Sequence, residues 1–223
     1  MQVSPTAHHF MGGIKTDEDA GTIIPGLFAS GECTGGLHGG NRLGGNALAD
    51  TQVYGAISGE SAAKYAKSVL HLGVDRKTIT KEFERIESML NRKDGISPAD
   101  ARSELTELMW EKVQIFRKEE DMQFAVNELR RIEKDVVPNI KVDVPVKGFN
   151  PGWHQAMEFV NMVLTARMVA EAAVMRKGSR GAHYRVDADP NDKGYYNIVI
   201  KKGKDGKMEM LKEDLVITKI TPP

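Results

Sequence analysis

The sequence predicts an α+β chain: short strands and a glycine loop first, then helices, then a C-terminal β-hairpin. Three observations carry that reading. Thirteen of the 22 glycines fall in the first 60 residues, and the middle of the chain is nearly free of them and rich in charge. Helical apolar spacing begins just past that change. Near the end, a Lys204-Asp205-Gly206-Lys207 turn separates two runs of strand composition. The composition shift places a boundary near residue 72. The segments are therefore 1–72, 73–185 and 186–223.

The bulk numbers exclude several classes. The chain has 223 residues, with 31 Lys and Arg against 31 Asp and Glu. A net charge of zero argues against a general nucleic-acid binder, which carries a basic excess. A single cysteine, Cys33, leaves no internal disulfide and no thiolate metal cage, and a reducing compartment fits best. Cys33 is expected to be buried and inert. No apolar run reaches the roughly 18 residues that suggest a membrane span. The start, MQVSPTAHHFMGG, has neither the charged nor the apolar region of a signal peptide.

The elements follow in order. Pro25–Glu32 (PGLFASGE) reads as a buried strand closed by glycine and an acid. A helix is expected from about Asn46 to Ser68. In 76–90, Ile79, Phe83, Ile86 and Leu90 recur at helical spacing and mark one face. Ser97-Pro98-Ala99-Asp100 is a helix start, with a capping serine, proline in the first turn and an acid three residues on. The helix it opens carries Ala101, Leu105, Leu108 and Trp110. Another runs from about Asp121 to Val136, with Leu129, Ile132 and Val136 inward, and Pro138 stops it. Residues 137–152 form an irregular connector. The helix from Trp153 to Arg176 is apolar on more than one face, as expected for the centre of the helical part. Tyr195–Lys201 and Met208–Ile220 form the hairpin.

Four constellations could carry chemistry. His8 and His9, in the run from Thr6 to Gly13, would point to opposite faces of a strand, so they could not chelate one metal together. One of them could face a cavity; the plain alternative is a surface or core histidine. Glu32, just past the predicted strand, has the placement of a carboxylate that takes nucleotide sugar hydroxyls, or else of a simple turn acid. Six glycines lie between Gly35 and Gly45, around His38, Asn41 and Arg42. Glycine at that density lets a backbone come close to something a Cβ would block. The lone Arg42 suggests that the something is anionic. The helix starting at Asn46 would add free N–H groups and a positive dipole end. Finally, Ser179–Arg185 (SRGAHYR) follows the long helix. It reads either as cations favouring a helix C-terminus, with Gly178 as the stop, or as part of a site. A zinc site from His8, Cys33 and His38 has no ligand spacing to support it.

Taken in their linked order, HHFMGG, GLFASGE, HGGNRLGGNAL and SRGAHYR resemble the flavoprotein subunit of succinate dehydrogenase and fumarate reductase. The wider family includes L-aspartate oxidase and soluble fumarate reductases. The likeness covers nearly the whole chain, but only the C-terminal part of a family member. It implies that His8 and Arg42 bind the two carboxylate ends of a dicarboxylate. It implies that Glu32 contacts FAD, and that backbone N–H groups of Ala47 and Leu48 meet the isoalloxazine ring. Serine is common where this chain has Ala47, a change of small effect at a backbone contact. The loop from Glu32 to Arg42 is one residue shorter than in many respiratory relatives, and Asp187 stands near an acidic pair of theirs.

The implied reaction interconverts succinate and fumarate by hydride transfer between substrate and flavin N5. The helix N-terminus would stabilise the negative charge that develops at N1 and C2=O. The implied partners are an iron–sulfur subunit, the small dicarboxylate and the N-terminal part of the same flavoprotein. A cytoplasmic location is implied, at the inner face of the membrane through partner subunits. The GxGxxG fingerprint, the histidine that carries covalent FAD and the capping domain with its proton-donating arginine are absent from this sequence. The chain alone is therefore expected to bind FAD weakly or not at all and to be inactive. Two alternatives stand beside this reading: an L-aspartate oxidase type of flavoenzyme, and a helical partner-binding module without FAD.

Overall fold

A computed structural model describes residues 7–70, 73–192 and 194–218. The chain forms two compact units. One comprises Met1–Gly73 with Arg180–Ala182, and the other Val74–Ser179 with His183–Pro223. The architecture is α+β, as the sequence predicts.

The first unit has little regular structure before its helix. Strands β1 (Ile14–Lys15) and β2 (Thr34–Gly35) pair in parallel. A short 3-10 turn, Gly31–Cys33, precedes β2. Helix α1 follows at Asn46–Ser68, at the predicted bounds. Its buried residue is Asp50, and Leu48 and Val53 lie exposed on it.

Three expectations fail in this unit. The predicted strand across Pro25–Glu32 does not form. Gly26 and Gly31 take positive φ values of 83° and 78°, outside the range of regular strand, and Phe28 makes only an isolated bridge to Gly21. His8 and His9 lie in irregular chain rather than in a strand, so strand alternation does not govern where they point. Their rings sit 6.5 Å apart. Cys33 is also exposed rather than buried, because the tight turn at Gly31–Cys33 turns its thiol outward to the Ser30 carbonyl, 3.3 Å away.

The second unit holds a packed core. Helices α2 (Arg76–Ser88), α3 (Pro98–Val113), α4 (Glu119–Arg131) and α5 (Pro151–Met175) appear in order. The last three pack against one another. Leu105, Met122, Leu129, Ile132, Phe159 and Val163 are almost fully buried at their junction. Each such side chain contributes about 1.5–3 kcal/mol through burial. Ser97 caps α3 by accepting the Asp100 N–H at 3.1 Å, as its position predicts.

The helix starts that the sequence places late depend on caps it does not advertise. Asn150 is buried and accepts the Trp153 N–H, so α5 begins at Pro151. At α4 the cap is distant: the Asp187 carboxylate accepts the Glu119 N–H at 2.7 Å. After Arg131 the chain widens into a π-turn at Ile132–Val136, then a 3-10 turn at Val137–Asn139. Pro138 lacks the N–H that would continue the α pattern. Three apolar residues expected on helix faces turned to the core face outward: Trp110 on α3, and Ile79 and Phe83 on α2. No other element of this chain covers them among the described residues.

Strand β3 (Phe116–Arg117) pairs in parallel with β4 (Tyr184–Arg185). The hairpin β5 (Tyr196–Lys202) and β6 (Met208–Asp214) closes through the predicted turn, with Gly206 at φ 82°. The stretch of the predicted second strand beyond Asp214 is not strand, and 219–220 lie outside the described residues.

Candidate functional site

The candidate site is built within the first unit, on the loop between β2 and α1. Gly36, Gly39 and Gly45 take φ values of 105°, 57° and 82°, a region where L side chains are strained. A Cβ at Gly36, Gly39, Gly44 or Gly45 would meet no atom of the described residues within 4 Å. Their faces are therefore open to something outside those residues. The helix that follows starts from Gly45 without a side-chain cap. The Asn46 N–H donates to the Leu43 carbonyl at 3.2 Å, and the N–H groups of the turn beyond it have no side-chain cap.

Arg42 lies half-buried in this loop. Its Nε is buried without a hydrogen-bond partner, and its Nη1 makes one long contact, 3.3 Å, to the Leu43 carbonyl. No acid among the described residues pairs with it. A guanidinium has five N–H donors, and most of these stay unused. Ala47 is half-buried and Leu48 exposed in the first turn of α1.

The chain segment carrying His8 is tied to this loop through its neighbours. Glu32 accepts the Phe10 N–H at 2.9 Å, and its other oxygen lies 3.7 Å from His9 Nδ1. The His9 ring meets the His38 ring edge-on at 5.3 Å. His38 Nε2 stands 3.3 Å from the Asp50 carboxylate of α1, near enough for an ion pair but not aligned as a hydrogen bond. His8 itself is exposed. A cavity of about 300 Å³ lies under the loop, lined by Thr16–Glu18, Ala29, Ser30, Thr34–Leu37, Asp50 and Tyr54. Neither His8 nor Arg42 lines it.

The SRGAHYR segment divides. Arg180–Ala182 belongs with the first unit, where the Ala182 N–H donates to the Gly40 carbonyl at 2.9 Å. Gly181 has φ 57°, and a Cβ there would overlap the Gly40 backbone. Glycine is required at that point by conformation and by space. Arg185 in the second unit is buried and holds Asp187 in a two-pronged pair at 2.9 and 3.0 Å, with Glu119 at 2.7 Å. The Arg185 bonds hold the Asp187 carboxyl well below the usual carboxylate range. His183 accepts from Arg117 Nη1 at 2.8 Å. Burial first, then the neighbouring Arg117, Arg176 and Arg185 charges, push His183 down to about 4. These groups brace the second unit.

The sequence alone singles out His8, Glu32, Arg42, Ala47 and Leu48. It does not single out His9, His38 or Asp50 as a linked set. Asp50 gives no sign, since nothing in one sequence marks a helix acid as the residue its helix buries.

Residues 1–48, which carry the glycine loop and Arg42, match the FAD binding domain model. Residues 102–223 match the model of the fumarate reductase flavoprotein C-terminus, and the chain belongs to that family. It is 47% identical over 188 residues to a CoM/CoB fumarate reductase subunit of Methanothermobacter marburgensis, covering 84% of this chain and 34% of the relative. It is 32% identical over 228 residues to the Escherichia coli fumarate reductase flavoprotein subunit, covering 99% and 38%. Among solved structures, the Mycobacterium smegmatis Sdh1 complex in its apo form superposes with a TM-score of 0.88 at 35% identity, covering 98% of this chain and 38% of that one. The chain thus spans between a third and two fifths of the length of these relatives. No helix among the described residues is long and apolar enough to cross a membrane.

Proposed function

We propose that this chain supplies one side of the FAD cradle and the carboxylate-binding groups of an enzyme that interconverts succinate and fumarate. The observation that carries the proposal is Arg42. It is a half-buried guanidinium with no acid partner among the described residues, set beside an uncapped helix start and glycines whose faces are open. That arrangement fits an anionic ligand approached by backbone, and it fits the electron-rich edge of a flavin ring.

In this reading FAD supplies the hydride acceptor or donor. The N–H groups of Ala47 and Leu48 would hold its ring edge, and Glu32 would face the cofactor while bracing Phe10. Arg42 binds one carboxylate of the dicarboxylate by a bidentate fork, and His8 donates to the other. Each charge-assisted contact is worth about 1.5–3 kcal/mol. Together they fix the carbon skeleton against the ring and polarise it. The single cysteine cannot hold an iron–sulfur cluster, so electrons would pass to or from a separate iron–sulfur subunit. That partner would place the protein at the cytoplasmic face of a membrane.

The test uses the flavoprotein that carries this segment together with the N-terminal part its relatives have. Arg42→Lys loses the fork and should raise KM and lower kcat for dicarboxylates. Unchanged turnover would remove Arg42 from the site. The chain alone should take up little FAD, read as visible absorbance after purification.

A further inference from the structure

The loop that presents Arg42 has little to hold it. Leu37 and Leu43 are exposed, Asn41 is exposed, and the glycines add freedom that must be lost on ordering. His38 is the exception. Its side chain is 7% exposed and Asp50 beside it 3%, within 3.3 Å of each other. Asp50 Oδ1 is buried with no partner, so this carboxylate depends on His38 for compensation. Asp50 sits one turn inside α1, the helix whose start forms the proposed site. The link continues on the other side, since His38 meets His9, next in the chain to His8.

We propose that His38 and Asp50 are a positioning pair that sets the guanidinium of Arg42, and through His9 the imidazole of His8, for dicarboxylate binding. This rests on the assignment of Arg42 and His8 to the substrate. Neither His38 nor Asp50 touches substrate in the proposal. The Gly40 carbonyl, held by the Ala182 N–H, fixes the loop at one point, and the His38–Asp50 pair fixes it at a second. Arg42 lies two residues past the first point and is oriented only if both hold. His38 Nε2 and the Asp50 carboxylate face each other at 3.3 Å, with both side chains buried.

The experiment measures malonate binding by calorimetry on the same FAD-loaded flavoprotein, with FAD content and Tm recorded for each variant. His38→Leu and Asp50→Asn should weaken malonate about ten- to hundredfold, the range expected for a misplaced binding group. FAD content should stay at the wild-type level. His38→Gln keeps an N–H donor and should recover most of the affinity, which a role confined to filling space would not produce. Wild-type malonate affinity in Asp50→Asn overturns the pairing, and this variant decides the matter if His38→Leu does not fold. Equal loss in His38→Gln and His38→Leu also overturns it. Arg42→Lys separates the two proposals. If that variant loses malonate while the pair variants do not, the positioning role alone fails. If it binds malonate normally, the substrate assignment fails and the positioning role with it.

Discussion

The two units of this chain hold themselves together differently. The helical unit buries a continuous set of large side chains, from Leu105 on α3 through Leu129 on α4 to Phe159 and Val163 on α5. Among the described residues of the first unit the buried apolar ones are the small Ala20 and Ala29, and α1 buries an acid. Many of its large apolar residues, Ile23, Leu43 and Leu48 among them, are exposed, while Phe28 and Ile57 are half-buried. Stability and ligand binding therefore lie in different places. The helical unit is a scaffold with its own core. The first unit is a set of backbone positions held by polar contacts, and in the proposed function it is the unit that presents surface to a ligand.

The largest effect expected from this contrast is that of a core truncation. Phe159→Ala should cost about 3–5 kcal/mol in urea unfolding, whereas Leu48→Ala should stay within about 0.5 kcal/mol. Similar costs for both would show that the first unit has a core of its own. Next comes Gly181→Ala, where the added Cβ has no room beside Gly40. It should destabilise the glycine loop by more than about 1 kcal/mol. Amide exchange of residues 36–45 should then speed up while Leu129 and Val163 keep their protection.

A smaller effect concerns the helix starts of the second unit. Ser97→Ala removes the bond to the Asp100 N–H and should cost about 1 kcal/mol. A urea midpoint equal to wild type would show that the cap adds nothing to the scaffold.

A further effect is one of pH, and in the helical unit it centres on His183. His183 has its pKa lowered from 6.5 to about 4 by burial and the nearby arginines. Between those values the unfolded chain binds a proton that the folded chain does not. Stability from this group is therefore full above about pH 6.5 and falls as pH drops toward 4. His183→Asn should flatten that window of the urea midpoint against pH. Asp192 acts in a separate, more acidic window. Burial raises it, but the Tyr196 hydroxyl and the N–H groups of Gly178, Gly194 and Lys177 outweigh that and bring it to about 2. Its contribution is present above its usual 3.8 and is lost as pH falls toward 2.

Legibility in the sequence follows the same division. The helices of the second unit are readable because local signals decide them: Ser97 before Pro98, and apolar spacing through Leu105 and Leu129. Their misplaced starts come from partners outside the local pattern, such as Asp187 capping α4. In the first unit the predicted strand at Pro25–Glu32 fails, since a strand is settled by its neighbours and by glycine conformation rather than by composition. The glycine loop and Arg42 stand out because so many glycines around one arginine are hard to justify by turning alone. The His9–His38–Asp50 set does not, because its members are far apart in sequence and only folding brings them together.

If the Arg42 guanidinium and the open glycine loop form one wall of a pocket shared by a flavin ring and a small diacid, bound ligands must show it. The deciding measurement is a crystal structure of the flavoprotein containing this segment, with FAD and malonate bound. One malonate carboxylate should lie within about 2.7–3.2 Å of the Arg42 guanidinium, with the other on His8. A well-ordered malonate bound elsewhere, with Arg42 turned to an internal acid, would contradict that assignment.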